Sequence, residues 1–217
     1  MLSTRNLTLL PDINSLRQRL QQMAAIESVF AIEYGASQFE FHPKWDRSEQ
    51  LGAFKNGSGD ELFAHFTPSG CIIIGFAHES RMSPYRTSPP ELWPGLLSDV
   101  PVEFQASLDE PAFDIASTTF VVWRRSTDTY WQTDNIEYSN DEYGDGSHEL
   151  LSHLIYTAAE FAEWLADNYE VDVDSGIISS VFANNPLTNQ QLSALNADAT
   201  TKQLRKAVIE TGFGLAE

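Results

Sequence analysis

Five histidines, one cysteine and a dense run of carboxylates are the groups from which this 217-residue chain could build a reactive site. His148-Glu149-Leu150-Leu151-Ser152-His153 has the composition of a zinc-hydrolase helix without its geometry. Histidines sharing a metal stand four apart, about 40° around a helix, whereas five apart sets them about 140° apart. The calcium-loop template fails over residues 141–152: with Gly146 at the sixth position, Tyr143 and Ser152 occupy positions that need acids. At most an irregular cation site at Asp141, Glu142 and Asp145 is left open, and no cofactor is expected. Gly57-Ser58-Gly59 follows Lys55 instead of preceding a Gly-Lys-Ser/Thr, and Leu62 stands where a dinucleotide fingerprint needs its third glycine, so it reads as a tight turn feeding a strand. A dispersed Ser, His and acid triad converges only in space. His65 with nearby Asp60 or Glu61 is its best candidate, weighed against a structural histidine satisfied by its neighbours.

A different chemistry, recognition by charge and aromatic surface, is written in residues 130–146. There Trp131, Tyr138 and Tyr143 interleave with Asp134, Glu137, Asp141, Glu142 and Asp145. In an exposed loop, aromatics supply contact area at small entropic cost, while carboxylates steer and pair with a basic partner. These eight residues are the candidate partner-binding set; the competing reading folds the aromatics back onto the sheet.

The overall charge points the same way. The chain carries 13 basic and 31 acidic side chains, a net −18. Residues 101–175 hold 17 of the acids and only two bases, and no lysine or arginine lies between Arg125 and Lys202. Such a surface repels phosphate, which argues against nucleic acid and against an anionic membrane. In residues 157–170, Glu160, Glu163, Asp167 and Glu170 recur three and four apart, opposite Phe161, Ala162 and Leu165. Like charges so spaced cost a helix about 0.2–0.5 kcal/mol per pair. Helix stability alone therefore does not select them; a solvated acidic face and a docking face are the two readings.

The elements that must position these groups can be read from periodicity. Residues 11–27 place Ile13, Leu16, Leu20, Met23 and Ala24 on one helical face. Strands are expected at 28–34 and 38–42. Runs 61–66 and 71–76 flank a Pro-x-Gly turn and predict a hairpin whose second strand is covered on both faces. Five prolines break residues 80–101 into loop with a helical turn near 91–97. A strand pair follows at 118–124 and 129–132. From Ser147, which is expected to cap a helix over 149–156, the period turns helical: a capping box at Thr157, then helices near 176–183, 189–195 and 199–211. The expectation is one α+β domain over 1–217, with an antiparallel-rich sheet after an N-terminal helix (sheet-rich part about 28–146) and a helical C-terminal third (147–217). The start lacks a signal-peptide pattern, no run approaches a membrane span, and Cys71 opens an apolar strand as a core thiol, so a cytoplasmic location is expected.

Asn56-Gly57-Ser58-Gly59-Asp60-Glu61-Leu62-Phe63-Ala64-His65-Phe66, with Gly70-Cys71-Ile72-Ile73 and Phe76-Ala77-His78-Glu79-Ser80, resembles a pattern of the SUKH superfamily. There a Gly-x-Gly-Asp turn enters the sheet and an Asp-His-Glu-like end closes the hairpin; here Ala77 stands where that acid would be. The resemblance implies a bacterial immunity protein that neutralises a toxin by binding, without chemistry of its own. Together the charge and the resemblance predict a non-enzymatic protein-binding module for a basic partner, a toxin among the candidates. The alternative is a small hydrolase or carbohydrate-active enzyme using carboxylates and a histidine.

Overall fold

The structure, a computed structural model, describes residues 1–140 and 144–216. Helix α1 (Ile13–Tyr34) starts where the Asp12 carboxylate accepts the Asn14 and Ser15 amides, and it stops at Gly35, whose φ of 78° only glycine adopts freely. Residues 28–34, expected as a strand, are its last turns. Val29 and Phe30 are buried on the face begun by Leu16, Leu20, Met23 and Ile26, so tertiary burial overrides their β preference.

Six antiparallel strands follow in sequential order: β1 (Phe39–Asp46), β2 (Glu49–Lys55), β3 (Glu61–Thr67), β4 (Gly70–Phe76), β5 (Phe120–Arg125) and β6 (Gln132–Thr133). The β3–β4 hairpin forms as its turn chemistry predicts, pairing Thr67 with Gly70 and Phe63 with Ile74. β2 carries no clear strand signal, in part because of Gly52. A side chain there would run into Leu20 of α1, whose Cδ1 lies 2.7 Å from the position of a Cβ. β1 forms the outer edge, and its pairing with β2 becomes irregular between His42 and Asp46, around Pro43.

β4 lies between β3 and β5 and is buried on both faces, as its apolar run predicts. On one face Leu62, Phe66, Ile73 and Val122 join a core with α1 and the C-terminal helices through Leu16, Phe161, Leu192 and Leu204. On the other, Phe63, Ile72, Ile74 and Trp123 pack under Phe104 and Phe113 from the long β4–β5 connection. That connection contains the short α2 (Gln105–Leu108) and a 3₁₀ turn at Pro84–Arg86. Residues 91–97 are not the expected helical turn, since Gly95 and Leu97 both have positive φ.

The helical tail comprises α3 (Ser147–Ser152), α4 (Ala158–Tyr169), α5 (Ser175–Phe182), α6 (Asn189–Leu195) and α7 (Thr201–Glu210). Thr157, Thr188 and Thr200 each complete a capping box. Ser147 does not cap α3. It is the first helical residue, because Gly146 at φ 75° takes the cap position. The helices and one sheet face share a single core, and the architecture is the expected α+β.

Candidate functional site

Residues 131–140 run from β6 across the edge of the β4–β5 connection, and their burial differs from that of an exposed loop. Trp131 is 7% exposed and its indole N–H donates to the Pro11 carbonyl at 2.7 Å. Asp134 is 2% exposed; it accepts the Asp99 amide at 2.9 Å, while Asp99 accepts the Asn135 amide at 2.9 Å. Burial raises the Asp134 carboxyl above its ordinary value, and its second oxygen is buried without a protein partner. Asp145 is 3% exposed, accepting the Ser147 amide and hydroxyl and the Thr4 hydroxyl. Trp131, Asp134 and Asp145 thus fix the fold instead of lining its surface. Spacing does not reveal this, because the partners Pro11, Asp99 and Thr4 lie far away in sequence, Ser147 alone being a near neighbour of Asp145. Asp141, Glu142 and Tyr143 lie outside the described residues.

Glu137 and Tyr138 remain at the surface, and basic groups accompany them. The Arg5 guanidinium lies 4.7 Å from the Tyr138 ring centroid and donates to the Ser139 carbonyl. Trp93 donates its indole N–H to the Glu137 carbonyl at 2.8 Å. Trp93, Glu137, Tyr138 and Ser139, with Arg81 and Pro94, line an open depression of about 790 Å³. Among the described residues its lining carries one base, Arg81, and one acid, Glu137.

The exposed acids gather on α4. Phe161, Leu165 and Tyr169 are buried, and the opposite face presents Glu160, Glu163 and Asp167. Glu170 follows at the C-cap in left-handed conformation, φ 53°, and the exposed acids continue at Asp172 and Asp174. Hydrogen bonds from Thr157 hold the Glu160 carboxyl below its ordinary value, and Asp174 caps α5 through the Gly176 amide at 2.7 Å. Among the described residues, Glu163, Asp167 and Glu170 have no such structural task in the hydrogen bonds around them.

The histidines take separate places. His65 on β3 is 3% exposed; its Nδ1 lies 2.9 Å from the Ser107 hydroxyl and its Nε2 3.0 Å from Glu49 Oε2. A Ser, His and Glu set therefore does converge, with Glu49 and Ser107 instead of the expected Asp60 or Glu61. Both ring nitrogens are occupied, Ser107 is 1% exposed, and Phe113 packs against the imidazole. Burial lowers the His65 pKa although Glu49 opposes it. Asp60 instead meets His78, accepting its backbone amide and lying 2.9 Å from its Nδ1. His153 packs against Phe54 with ring centroids 4.1 Å apart and the planes tilted by 32°, and burial drives its pKa down to about 4. Among the described residues no three His, Cys, Asp or Glu side chains group as metal ligands, and no helix is long and apolar enough to cross a membrane.

Compared with family models, with curated proteins and with solved structures, the chain matches none.

Proposed function

We propose that the protein is a non-enzymatic binding module that engages a basic protein partner through its acidic surface. The observation that carries this reading is the exposed face of α4, where Glu163 and Asp167 stand four apart and Glu170 follows at the C-cap, with no lysine or arginine in sequence between Arg125 and Lys202. Such carboxylates oppose helix formation, so their concentration on one solvent face is better accounted for by a positively charged partner than by folding. A field of one sign speeds encounter and makes it salt-sensitive. The SUKH-like stretch supports the more specific form of the proposal, an immunity protein that neutralises a basic toxin in the cytoplasm.

The hydrolase alternative draws support from the Glu49, His65 and Ser107 constellation. For Ser107 to attack a substrate its hydroxyl must be reachable and a ring nitrogen free to take its proton. Glu49 and Ser107 engage the two His65 nitrogens as a triad would, but with Ser107 at 1% and His65 at 3% exposure no substrate reaches the hydroxyl, and the constellation fits a satisfied buried histidine better.

The discriminating experiment is affinity capture at low and at high salt with the wild type and with a variant carrying E160Q, E163Q, D167N and E170Q. A basic partner held by the wild type, released by salt and lost by the variant, supports the proposal. Capture indifferent to both overturns it.

A further inference from the structure

Glu27 sits in the middle of α1 and is completely buried. Its Oε1 accepts the Gln38 amide at 2.8 Å and the Tyr169 hydroxyl at 2.6 Å, and its Oε2 accepts the Phe39 amide at 2.6 Å. One carboxylate therefore ties three elements: α1, the start of β1 and the last residue of α4. Tyr169 is gripped further by Tyr34 of α1, which donates to the Tyr169 carbonyl at 3.0 Å and sets its ring 5.0 Å away.

The three donors are neutral, and the charged neighbour acting on Glu27 is Glu40 of β1, of like sign and itself 3.3 Å from His42 Nε2. Burial without a cation favours the neutral acid, while the three donated hydrogen bonds favour the anion, so two opposing effects meet at this carboxyl. The two forms require different hydrogen bonds. The carboxylate accepts from all three donors. The protonated acid must also donate, and among the three partners only the Tyr169 oxygen can accept, since both others are backbone N–H groups.

We propose that Glu27 is a proton-operated joint between α1, β1 and the end of α4, in which uptake of one proton from solvent reverses the direction of the Glu27–Tyr169 hydrogen bond. Burial raises the Glu27 carboxyl to about 7, against the pull of Tyr169, Gln38 and Phe39, so both forms are populated near neutrality. Tyr169 reports the same opposition: burial and the adjoining carboxylate raise its hydroxyl well above the ordinary value. The joint holds the end of the helix that carries the acidic face, but it stands whether or not that face docks a partner.

The test is an NMR titration of the full chain from about pH 3 to about pH 9, following the Glu27 side-chain carboxyl carbon and the Gln38 and Phe39 backbone amides. The expected result is one shared midpoint near about 7. Y169F removes a donor that favours the anion and moves the midpoint upward; E27Q abolishes the transition at both amides. A wild-type midpoint at the ordinary glutamate value of 4.5, or amides indifferent to pH, overturns the proposal. So does a folded Y169F with its midpoint unmoved or lowered. If E27Q fails to fold, the wild-type carboxyl midpoint alone decides.

Discussion

Asp60 holds His78 twice, through its backbone amide at 2.8 Å and near its ring Nδ1 at 2.9 Å. The contact joins the Asn56–Asp60 turn before β3 to the residue two beyond the end of β4, so the two ends of the hairpin close on each other. Gly59 completes the fit, since a Cβ there would approach the His78 ring at 3.3 Å. The hydrogen bond its ring makes to the Asp60 carboxylate raises the His78 pKa above its ordinary value. D60N removes that charge, and the His78 midpoint, followed by ring-proton NMR, is expected to fall toward the ordinary histidine value. An unchanged midpoint would mean that the contact does not persist in solution.

Glu27 makes stability depend on pH with a definite sign. Its folded-state pKa of about 7 lies above the ordinary 4.5, so the folded chain holds the proton over that window while the unfolded chain releases it. Its contribution is fully present below the unfolded value and is lost as pH rises through the folded one, with a slope of at most about 1.4 kcal/mol per pH unit. Urea denaturation at a series of pH values should show this decline in the wild type and a flatter dependence in E27Q.

Like-charge crowding on α4 predicts a stabilising substitution. D167K places a lysine four residues after Glu163 and near the negative end of the helix, converting a repulsion into a favourable pair. A gain of about 0.5–1 kcal/mol in thermal or urea denaturation is expected, shrinking at high salt. The same change should slow association with a basic partner, so stability and binding move in opposite directions.

Ser107 is predicted to matter for folding through His65. S107A leaves the buried Nδ1 without its partner and should cost about 1–3 kcal/mol, measured by urea denaturation. A neutral effect would show that His65 can rearrange to satisfy both nitrogens.

Close packing makes Gly75 on β4 intolerant of any side chain. A Cβ there would overlap the Phe120 ring of the paired strand. G75A should therefore lose about 3 kcal/mol of stability, with a partial recovery when combined with F120L.

The hairpin and the tail helices were legible because their signals are local: a Pro-x-Gly turn at 68–70, a capping box at Thr157 and helical periodicity beyond it, to which the structure adds capping boxes at Thr188 and Thr200. Residues 28–34 misled because Val29, Phe30 and Ile32 favour strands, yet α1 meets no terminator before Gly35. β2 was invisible because Gly52 answers to Leu20, 32 positions earlier, and not to its own neighbours. The site divided in the same way. The acidic spacing on α4 is a helical pattern and survives folding as an exposed face. The roles of Asp134 and Asp145 depend on Asp99 and Thr4, far off in sequence, as those of Glu49 and Ser107 depend on His65.

The outer edge of β1 has a further consequence. Its first amide, at Phe39, is taken by Glu27, and Pro43 interrupts its far end, while the opposite edge of the sheet is the two-residue β6. Little uninterrupted backbone is left for another copy to pair with. The molecule is thereby guarded against polymerising edge to edge, and its mutual repulsion at net −18 adds a second barrier to self-association. A concentrated solution should remain dispersed until salt screens the charge, and even then the sheet offers a poor template for fibres.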